Sequence, residues 1–149
     1  MIAIALVVLL MAIGGPSMHG QLSRQKLQAS FDRFDTLVVE AQRRSVNDGE
    51  PYVLVWQPNG SVALYPVAWN TEQRRKRAPA ATWDPGRSNE RYTLLRPSSL
   101  AAQPAAEWTF WPTGNCEPVA VRYKGSPGVW EAAYNPLSGR GTLSTFLAQ

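Results

Sequence analysis

The sequence predicts an α+β fold in which a long N-terminal helix packs on an antiparallel β-sandwich-like body. Three observations predict it: an apolar run over residues 1–18, an amphipathic helical pattern over 19–46, and a series of short β-strand patterns over 50–149. The length of 149 residues fits one compact domain with at most an appendage. The formal net charge of +4 favours anionic surfaces but does not identify a partner.

Residues 1–18 form an apolar run without a charged side chain. A helix needs about 20 predominantly apolar residues to cross about 30 Å of hydrocarbon, so the run reaches the lower edge of a transmembrane length. A secretory signal peptide fits less well because no Lys or Arg precedes the run, and a buried core helix is the remaining alternative. The residues expected to face lipid or neighbouring helices, with the proline that follows them, are Ile2, Ile4, Leu6, Val7, Leu9, Leu10, Ile13 and Pro16.

The abrupt apolar start predicts that the natural chain begins upstream of Met1. Arg24 and Lys26 follow the apolar run, and by themselves they favour a cytoplasmic location for the C-terminal part. A basic leader ahead of Met1 would reverse that bias and place the larger part of the chain outside the cytoplasm. We therefore expect the open reading frame to extend upstream.

Beyond Pro16, apolar residues recur at spacings of three or four, which predicts a helix with one apolar face. We expect this helix to begin near Met1 and to end about Arg44, because turn-forming residues follow at 47–49. Gly14, Gly15 and Pro16 predict either a kink or a break between two helices. The apolar stripe consists of Leu22, Leu27, Phe31, Phe34, Val38 and Ala41.

From residue 50 onward the apolar pattern changes to the period of two that is typical of β-strands. The first two strands, 52–56 and 62–65, flank the turn Pro58-Asn59-Gly60 and predict a β-hairpin. Short strands at this spacing predict an antiparallel sandwich or open barrel. Residues 67–91 depart from the pattern and are expected to form a long exposed loop. The other strand candidates are 92–95, 107–111, 119–123, 129–134 and 142–146, with a Pro/Ala-rich connection at 97–106.

The chain lacks the motifs that mark common catalytic sites, such as G-x-S-x-G, a Walker loop or HExxH. A single Cys116 and a single His19 are too few for a Cys/His zinc site or an intramolecular disulfide. We expect Cys116 to be a turn or partly buried thiol and His19 to be interfacial or structural. The sequence therefore predicts a non-enzymatic protein that needs neither a metal nor a cofactor.

The sharpest polar feature is the basic run Arg74, Arg75, Lys76 and Arg77. Such a run is usually a solvated face. It is also a candidate site for an anionic partner, because cations neutralise phosphates and the nearby rings of Trp69 and Trp83 offer stacking surfaces for bases. An acidic protein and a nucleic acid both remain open as partners of this segment.

Several segments match one known family. They are the apolar run 1–13 followed by Gly-Gly-Pro, the helix end Ala41-Gln42-Arg43-Arg44-Ser45, the first hairpin, and two turns, Phe110-Trp111-Pro112-Thr113-Gly114 and Asn135-Pro136-Leu137-Ser138-Gly139-Arg140. On these segments the chain resembles a type IV pilin-like minor pseudopilin of the type II secretion system. The relevant family is that of the H-type pseudopilins, which includes the FimT-like minor pilins.

The resemblance implies a structural subunit of the secretion pseudopilus, held in the bacterial inner membrane by one helix, with its C-terminal domain in the periplasm. It implies other pseudopilins as partners through helix packing, inner-membrane lipid around the helix, and secreted protein as cargo. The alternative is a minor type IV pilin of the FimT type that binds DNA for uptake.

The chain departs from the family at its start. Family members begin with a basic leader, a cleavage-site Gly, then Phe-Thr-Leu and a Glu shortly before the apolar run, and this sequence contains none of them. The departure agrees with a natural start upstream of Met1. Leader cleavage and N-terminal methylation therefore fall on no residue of this chain.

Overall fold

The computed structural model describes residues 2–84, 89–96 and 106–149, and it describes side chains from Gly20 onward. The chain folds into two helices and eight strands over these residues. The elements are α1 (Ile2–Asp48), β1 (Tyr52–Trp56), β2 (Val62–Pro66), α2 (Thr71–Lys76), β3 (Ala81–Trp83), β4 (Arg91–Leu95), β5 (Glu107–Phe110), β6 (Val119–Gly125), β7 (Gly128–Tyr134) and β8 (Gly141–Ala148).

Helix α1 is one continuous helix whose backbone stays helical through Pro16. This favours one long helix over the alternative of two helices separated near Gly14. The helix continues past the expected end at Arg44 and stops at Asp48, where Gly49 adopts a left-handed φ of 67°. A residue without a Cβ adopts that conformation at no steric cost, so glycine commonly ends a helix in this way.

The described strands form two four-stranded antiparallel sheets. Sheet 1 has the order β3-β2-β1-β5, and sheet 2 has the order β4-β6-β7-β8. Burial alternates along β4, β6 and β7, because successive side chains of a strand point to opposite faces. The predicted hairpin and all seven predicted strands are confirmed. The predicted α+β fold is confirmed as well.

Helix α1 packs its apolar stripe against both sheets. Phe34 lies at the centre of this contact, and its ring stacks on Tyr92 with 4.9 Å between the centroids. Trp130 and Tyr92 also bind the helix through polar atoms, since the Trp130 Nε1–H donates to Ser30 Oγ at 2.8 Å and the Tyr92 hydroxyl donates to the Ser30 carbonyl at 3.1 Å. The predicted stripe is buried at Leu27, Phe34, Val38 and Ala41, whereas Leu22 is exposed.

The prediction of a plain loop over 67–91 is wrong. This segment contains the short helix α2 and the strand β3, which pairs with β2 at the edge of sheet 1. Asn70 and Gln73 start α2 with a reciprocal capping box, in which each side chain accepts from the backbone N–H of the other residue. Residues 85–88 of this segment lie outside the described residues, and so do residues 97–105 of the Pro/Ala-rich connection.

Candidate functional site

We call one end of the body the proximal end. There Gly20, the first residue of α1 whose side chain is described, lies beside the last residues of β8. Gly20, Gln21 and Arg24 line one surface depression together with 146–149. The backbone N–H of Gln149 donates to the carbonyl of Pro127 at 3.1 Å, so the β6–β7 turn lies at the same end. The apolar run therefore leads directly to this face of the body.

The predicted assembly residues of the apolar run have a helical backbone, but their side chains lie outside the described residues. They are Ile2, Ile4, Leu6, Val7, Leu9, Leu10, Ile13 and Pro16, and His19 lies outside in the same way. Within the part of the chain whose side chains are described, no helix combines the length and hydropathy that a membrane span requires. Their role in a membrane or in assembly stays a prediction.

The predicted basic run lies on helix α2 and on Arg77, its C-cap. Arg74 is the most confined of the four, with 21% of its side chain exposed. Its guanidinium pairs with Glu107 at 2.9 Å, donates to the carbonyl of Trp69 at 3.1 Å, and lies 5.8 Å from the centre of the Tyr65 ring. These contacts attach α2 to sheet 1.

The other three cations share no common partner within the described residues. Lys76 pairs with Glu72 at 2.6 Å along the helix, and the guanidinium of Arg77 lies 5.2 Å from the centre of the Trp69 ring. Arg75 is exposed. Trp83 does not join this surface, since it packs against Tyr92 with 4.2 Å between ring centroids. Only Trp69 of the two predicted stacking residues therefore lies beside the basic run.

The two turns that carry the family resemblance meet at the C-terminal end of α1. Gln42 Nε2 donates to the carbonyl of Gly114 at 2.6 Å, and Ser45 Oγ donates to the carbonyl of Trp111 at 3.1 Å. The second turn packs on the same glutamine, because a Cβ on Gly139 would lie 2.8 Å from the Gln42 side-chain oxygen. These residues fix the end of the helix to the body, so the family markers are structural here.

Cys116 links these two turns through its backbone, since its N–H donates to the carbonyl of Pro136 at 2.7 Å. The side chain is 3% exposed, and burial raises the pKa of the thiol to about 11. The thiol therefore stays protonated at neutral pH, which makes it a poor nucleophile. Cys116 was expected to be a turn or partly buried thiol; it is buried, and it forms an isolated β-bridge with Phe110.

Exposed apolar side chains surround the same helix end. Leu137 is 81% exposed, Val46 is 49% exposed and Trp111 is 37% exposed. Val46 lies close to the first turn, because a Cβ on Gly114 would be 3.8 Å from its Cγ2 atom. Apolar side chains on loops at the end of a rigid helix are a candidate contact surface for another protein.

The described residues contain no group of three or more His, Cys, Asp or Glu side chains placed to hold a metal ion. An ionic cluster does exist on α1, where Glu40 accepts from Arg43 at 2.8 Å and from Arg44 at 2.6 Å. These hydrogen bonds lower the pKa of Glu40 to about 2. The cluster is an ion-paired surface of the helix in which one carboxylate binds two guanidinium groups.

No family model and no curated protein matches the sequence. Solved structures do match the fold. The type IV minor pilin FimU of Pseudomonas aeruginosa is 14% identical, with a TM-score of 0.59 over 82% of this chain and 90% of that one. The minor pseudopilin EpsH of the Vibrio cholerae type II secretion system is 10% identical, with a TM-score of 0.55 over 80% of this chain and 94% of that one.

A second structure of EpsH is 10% identical, with a TM-score of 0.50 over 78% of this chain and 94% of that one. The chain therefore has the fold of type IV pilin-like minor pilins and minor pseudopilins. At identities of 10–14% the likeness shows the fold, and it covers a pilus protein and secretion proteins alike.

Proposed function

We propose that the protein is a minor pseudopilin, a non-enzymatic structural subunit of a type II secretion pseudopilus that supports protein export across the outer membrane. The observation that supports it most is the architecture: an apolar run, continuous with a helix that packs on a β-body of pilin-like fold. Fold alone does not determine function. The proposal therefore also depends on the apolar run and on the chemistry of the surface.

In this mechanism, residues 1–18 anchor the protein in the inner membrane and pack laterally against equivalent helices of other pilin-like subunits. Helix α1 holds the β-body on that anchor through the buried ring of Phe34 and the hydrogen bonds of Ser30 and Gln42. The body then projects into the periplasm. The exposed residues at the helix end, Val46, Trp111 and Leu137, select neighbouring subunits or secreted cargo.

The runner-up is a DNA-capturing minor pilin of the FimT type, and the similarity to the minor pilin FimU is the observation that favours it. Its predicted site is the basic run Arg74–Arg77. The contacts of this run favour secretion, because Arg74 and Lys76 already pair with Glu107 and Glu72. A phosphate would have to compete with those carboxylates. The paired cations would then release fewer counterions from DNA than four free cations would, so the gain in affinity would be smaller.

A DNA titration separates the two functions. The full chain in detergent micelles is titrated with labelled duplex DNA at several salt concentrations, beside the variant Arg74→Gln/Arg75→Gln/Lys76→Gln/Arg77→Gln. The secretion function predicts weak binding at physiological salt that is the same in both proteins. Micromolar or tighter binding that falls with salt and disappears in the variant would favour DNA capture.

Assembly is tested by purification from native membranes. The tagged full chain is extracted gently, and the co-purifying proteins are identified by mass spectrometry. We expect pilin-like subunits encoded near the gene to be recovered with the wild-type chain. The matched control is Leu9→Arg, which alters only the anchor and should recover none of them. A wild-type chain that is recovered alone from the membrane would contradict the assembly role.

A further inference from the structure

The proximal end of the body carries a group of exposed cations that comes from distant parts of the chain. Arg24 and Lys26 lie on α1, just after the apolar run, while Arg91 begins β4 and Lys124 lies near the end of β6. All four side chains are exposed. The sheet topology brings them to the end of the body at which the β6–β7 turn and the last residues of β8 also lie.

Arg91 and Lys124 are direct neighbours across the strands of sheet 2. They share one face, because Tyr92 and Tyr123, which adjoin them in sequence, point into the core. Like charges directly opposite each other in a sheet are destabilising. Among the described residues neither cation has a carboxylate within salt-bridge distance, in contrast to Arg122 in the next row, which pairs with Glu131 at 2.8 Å.

Cations outnumber carboxylates in the surface linings at this end. Three surface depressions open there, of about 260, 530 and 610 Å³. Within the described part of the chain, their linings contain one acidic side chain, Glu90. The cations of the same linings are Arg24, Lys26, Arg33, Arg91, Arg122 and Lys124. Phe146 and the exposed Leu147 lie beside Arg24 and add apolar surface at the same place.

We infer that this proximal end binds the anionic phospholipid headgroups of the membrane in which the apolar run is anchored. The inference rests on the proposed anchoring of residues 1–18. A helix rises 1.5 Å per residue, so Arg24 lies about 9 Å and Lys26 about 12 Å along the axis from residue 18. The headgroup region adds roughly 5–8 Å outside the hydrocarbon. The side chains of Arg24 and Lys26 therefore reach the phosphates or remain within about one Debye length of them.

Lipid fits this surface better than other anions, because the cations and exposed Leu147 lie where a membrane-anchored helix leaves the bilayer. Clusters of Lys and Arg beside a membrane helix attract anionic headgroups, and each contributes most within a Debye length of the surface. Cationic and apolar side chains together are the combination that binds an interface. The headgroups supply the counter-charge that Arg91 and Lys124 do not find within the described protein, and they fix the tilt of the body on its anchor.

The test uses the full chain reconstituted in lipid nanodiscs of two compositions, phosphatidylcholine alone and phosphatidylcholine with phosphatidylglycerol. An environment-sensitive dye is attached through Asn89→Cys, an exposed position in the lining beside Arg91. The native Cys116 is buried, so it does not compete for the dye. The measurement is the collisional quenching of the dye by acrylamide, a neutral quencher that is insensitive to surface charge.

We expect the quenching constant to fall roughly twofold or more in the anionic nanodiscs at low salt, and the difference to disappear at high salt. The variant Arg24→Gln/Lys26→Gln/Arg91→Gln/Lys124→Gln should show no difference between the two lipids. The matched control, Arg74→Gln/Arg75→Gln/Lys76→Gln/Arg77→Gln, removes four charges from the α2 surface and should keep the difference.

Equal quenching in both lipids, with the chain held in the nanodiscs, would overturn the headgroup inference alone. Quenching that responds to added duplex DNA but not to lipid would overturn it too and would assign this surface to nucleic acid. A chain that does not remain with the nanodiscs at all would instead contradict the proposed anchoring by residues 1–18. The two proposals therefore fail in distinguishable ways.

Discussion

The two basic regions of the molecule each contribute four cations, but these cations differ in what they contact. On α2, Arg74 pairs with Glu107, Lys76 pairs with Glu72, and Arg77 lies over the Trp69 ring. At the proximal end, Arg91 faces Lys124 across two strands with no described carboxylate in pairing distance of either. A run of basic letters in a sequence is therefore a weak guide to an anionic site, because such cations are often already paired within the fold.

Both basic regions lie on a body that α1 holds together, so a substitution in the contact between α1 and the sheets has the largest expected effect. Phe34→Ala removes a fully buried ring that stacks on Tyr92. We expect the free energy of unfolding to fall by about 3–5 kcal/mol. Val39→Ala, at a position that is 51% exposed on the same helix, should change it by less than about 0.5 kcal/mol. Denaturant unfolding of the full chain, followed by tryptophan fluorescence, measures both, and similar values for the two variants would contradict the packing.

In the proposed mechanism residues 1–18 hold the proximal end at the membrane, so disruption of this anchor has the next largest expected effect. Leu9→Arg puts a charge near the middle of the apolar run, at a cost of about 2.5–3.5 kcal/mol on insertion scales. We expect a larger soluble fraction on membrane fractionation and an unchanged melting transition of the body. A partition identical to that of the wild-type chain would exclude residues 1–18 as the anchor.

Single substitutions on α2 sharpen the difference between paired and unpaired cations. Arg74→Ala loses the contacts with Glu107, Trp69 and Tyr65, and we expect it to destabilise the protein by about 1 kcal/mol. Arg75→Ala is exposed and should change the stability by less than about 0.5 kcal/mol. Thermal unfolding of both variants gives the two values. Equal losses would show that Arg74 is no more structural than its neighbour.

The ion pairs of Glu40 with Arg43 and Arg44 are expected to make the smallest contribution to stability. That contribution can be tested by its dependence on pH. The hydrogen bonds from Arg43 and Arg44 lower the pKa of Glu40 from 4.5 to about 2. A lowered carboxyl pKa stabilises the folded state above pH 4.5, and that contribution is lost as the pH falls toward 2. Exposed pairs of this kind contribute about 0.2–1 kcal/mol.

The matching variant is Glu40→Gln, which leaves the helix intact. We expect wild type and variant to differ in unfolding free energy at pH 7 and to converge between pH 4.5 and 2. A difference that persists unchanged at the lower limit would mean that the charge of Glu40 is not its source.

The long helix and the predicted strands were accessible from sequence because their signals are local. The stripe from Leu27 to Ala41 repeats at helical spacing, and 119–123 and 129–134 alternate around a Gly-rich turn. Helix α2 had a signal too, since Asn70 followed three residues later by Gln73 is a capping pattern. Strand β3 had no such signal. Ala81–Trp83 is too short to show an alternating pattern, and the strand is defined by its pairing with β2.

The proximal surface was not predictable from sequence. Arg91 and Lys124 become neighbours only through the pairing of β4 with β6, across a separation that no local pattern encodes. Arg24 and Lys26 were visible, but they suggested an orientation in the membrane rather than a contact with its headgroups. The pairing of Arg74 within the basic run was not predictable either, because its partner Glu107 comes from the distant strand β5.

The most direct test of the central claim is a complementation assay in a strain that lacks this gene. Protein secreted into the medium and uptake of labelled DNA are measured in parallel, with the strain carrying either the natural gene or its Leu9→Arg form. The account predicts that deletion abolishes secretion, that the natural gene restores it, that Leu9→Arg does not, and that DNA uptake is the same in all strains. Normal secretion in the deletion strain together with lost DNA uptake would contradict the secretion role and establish the DNA-uptake alternative.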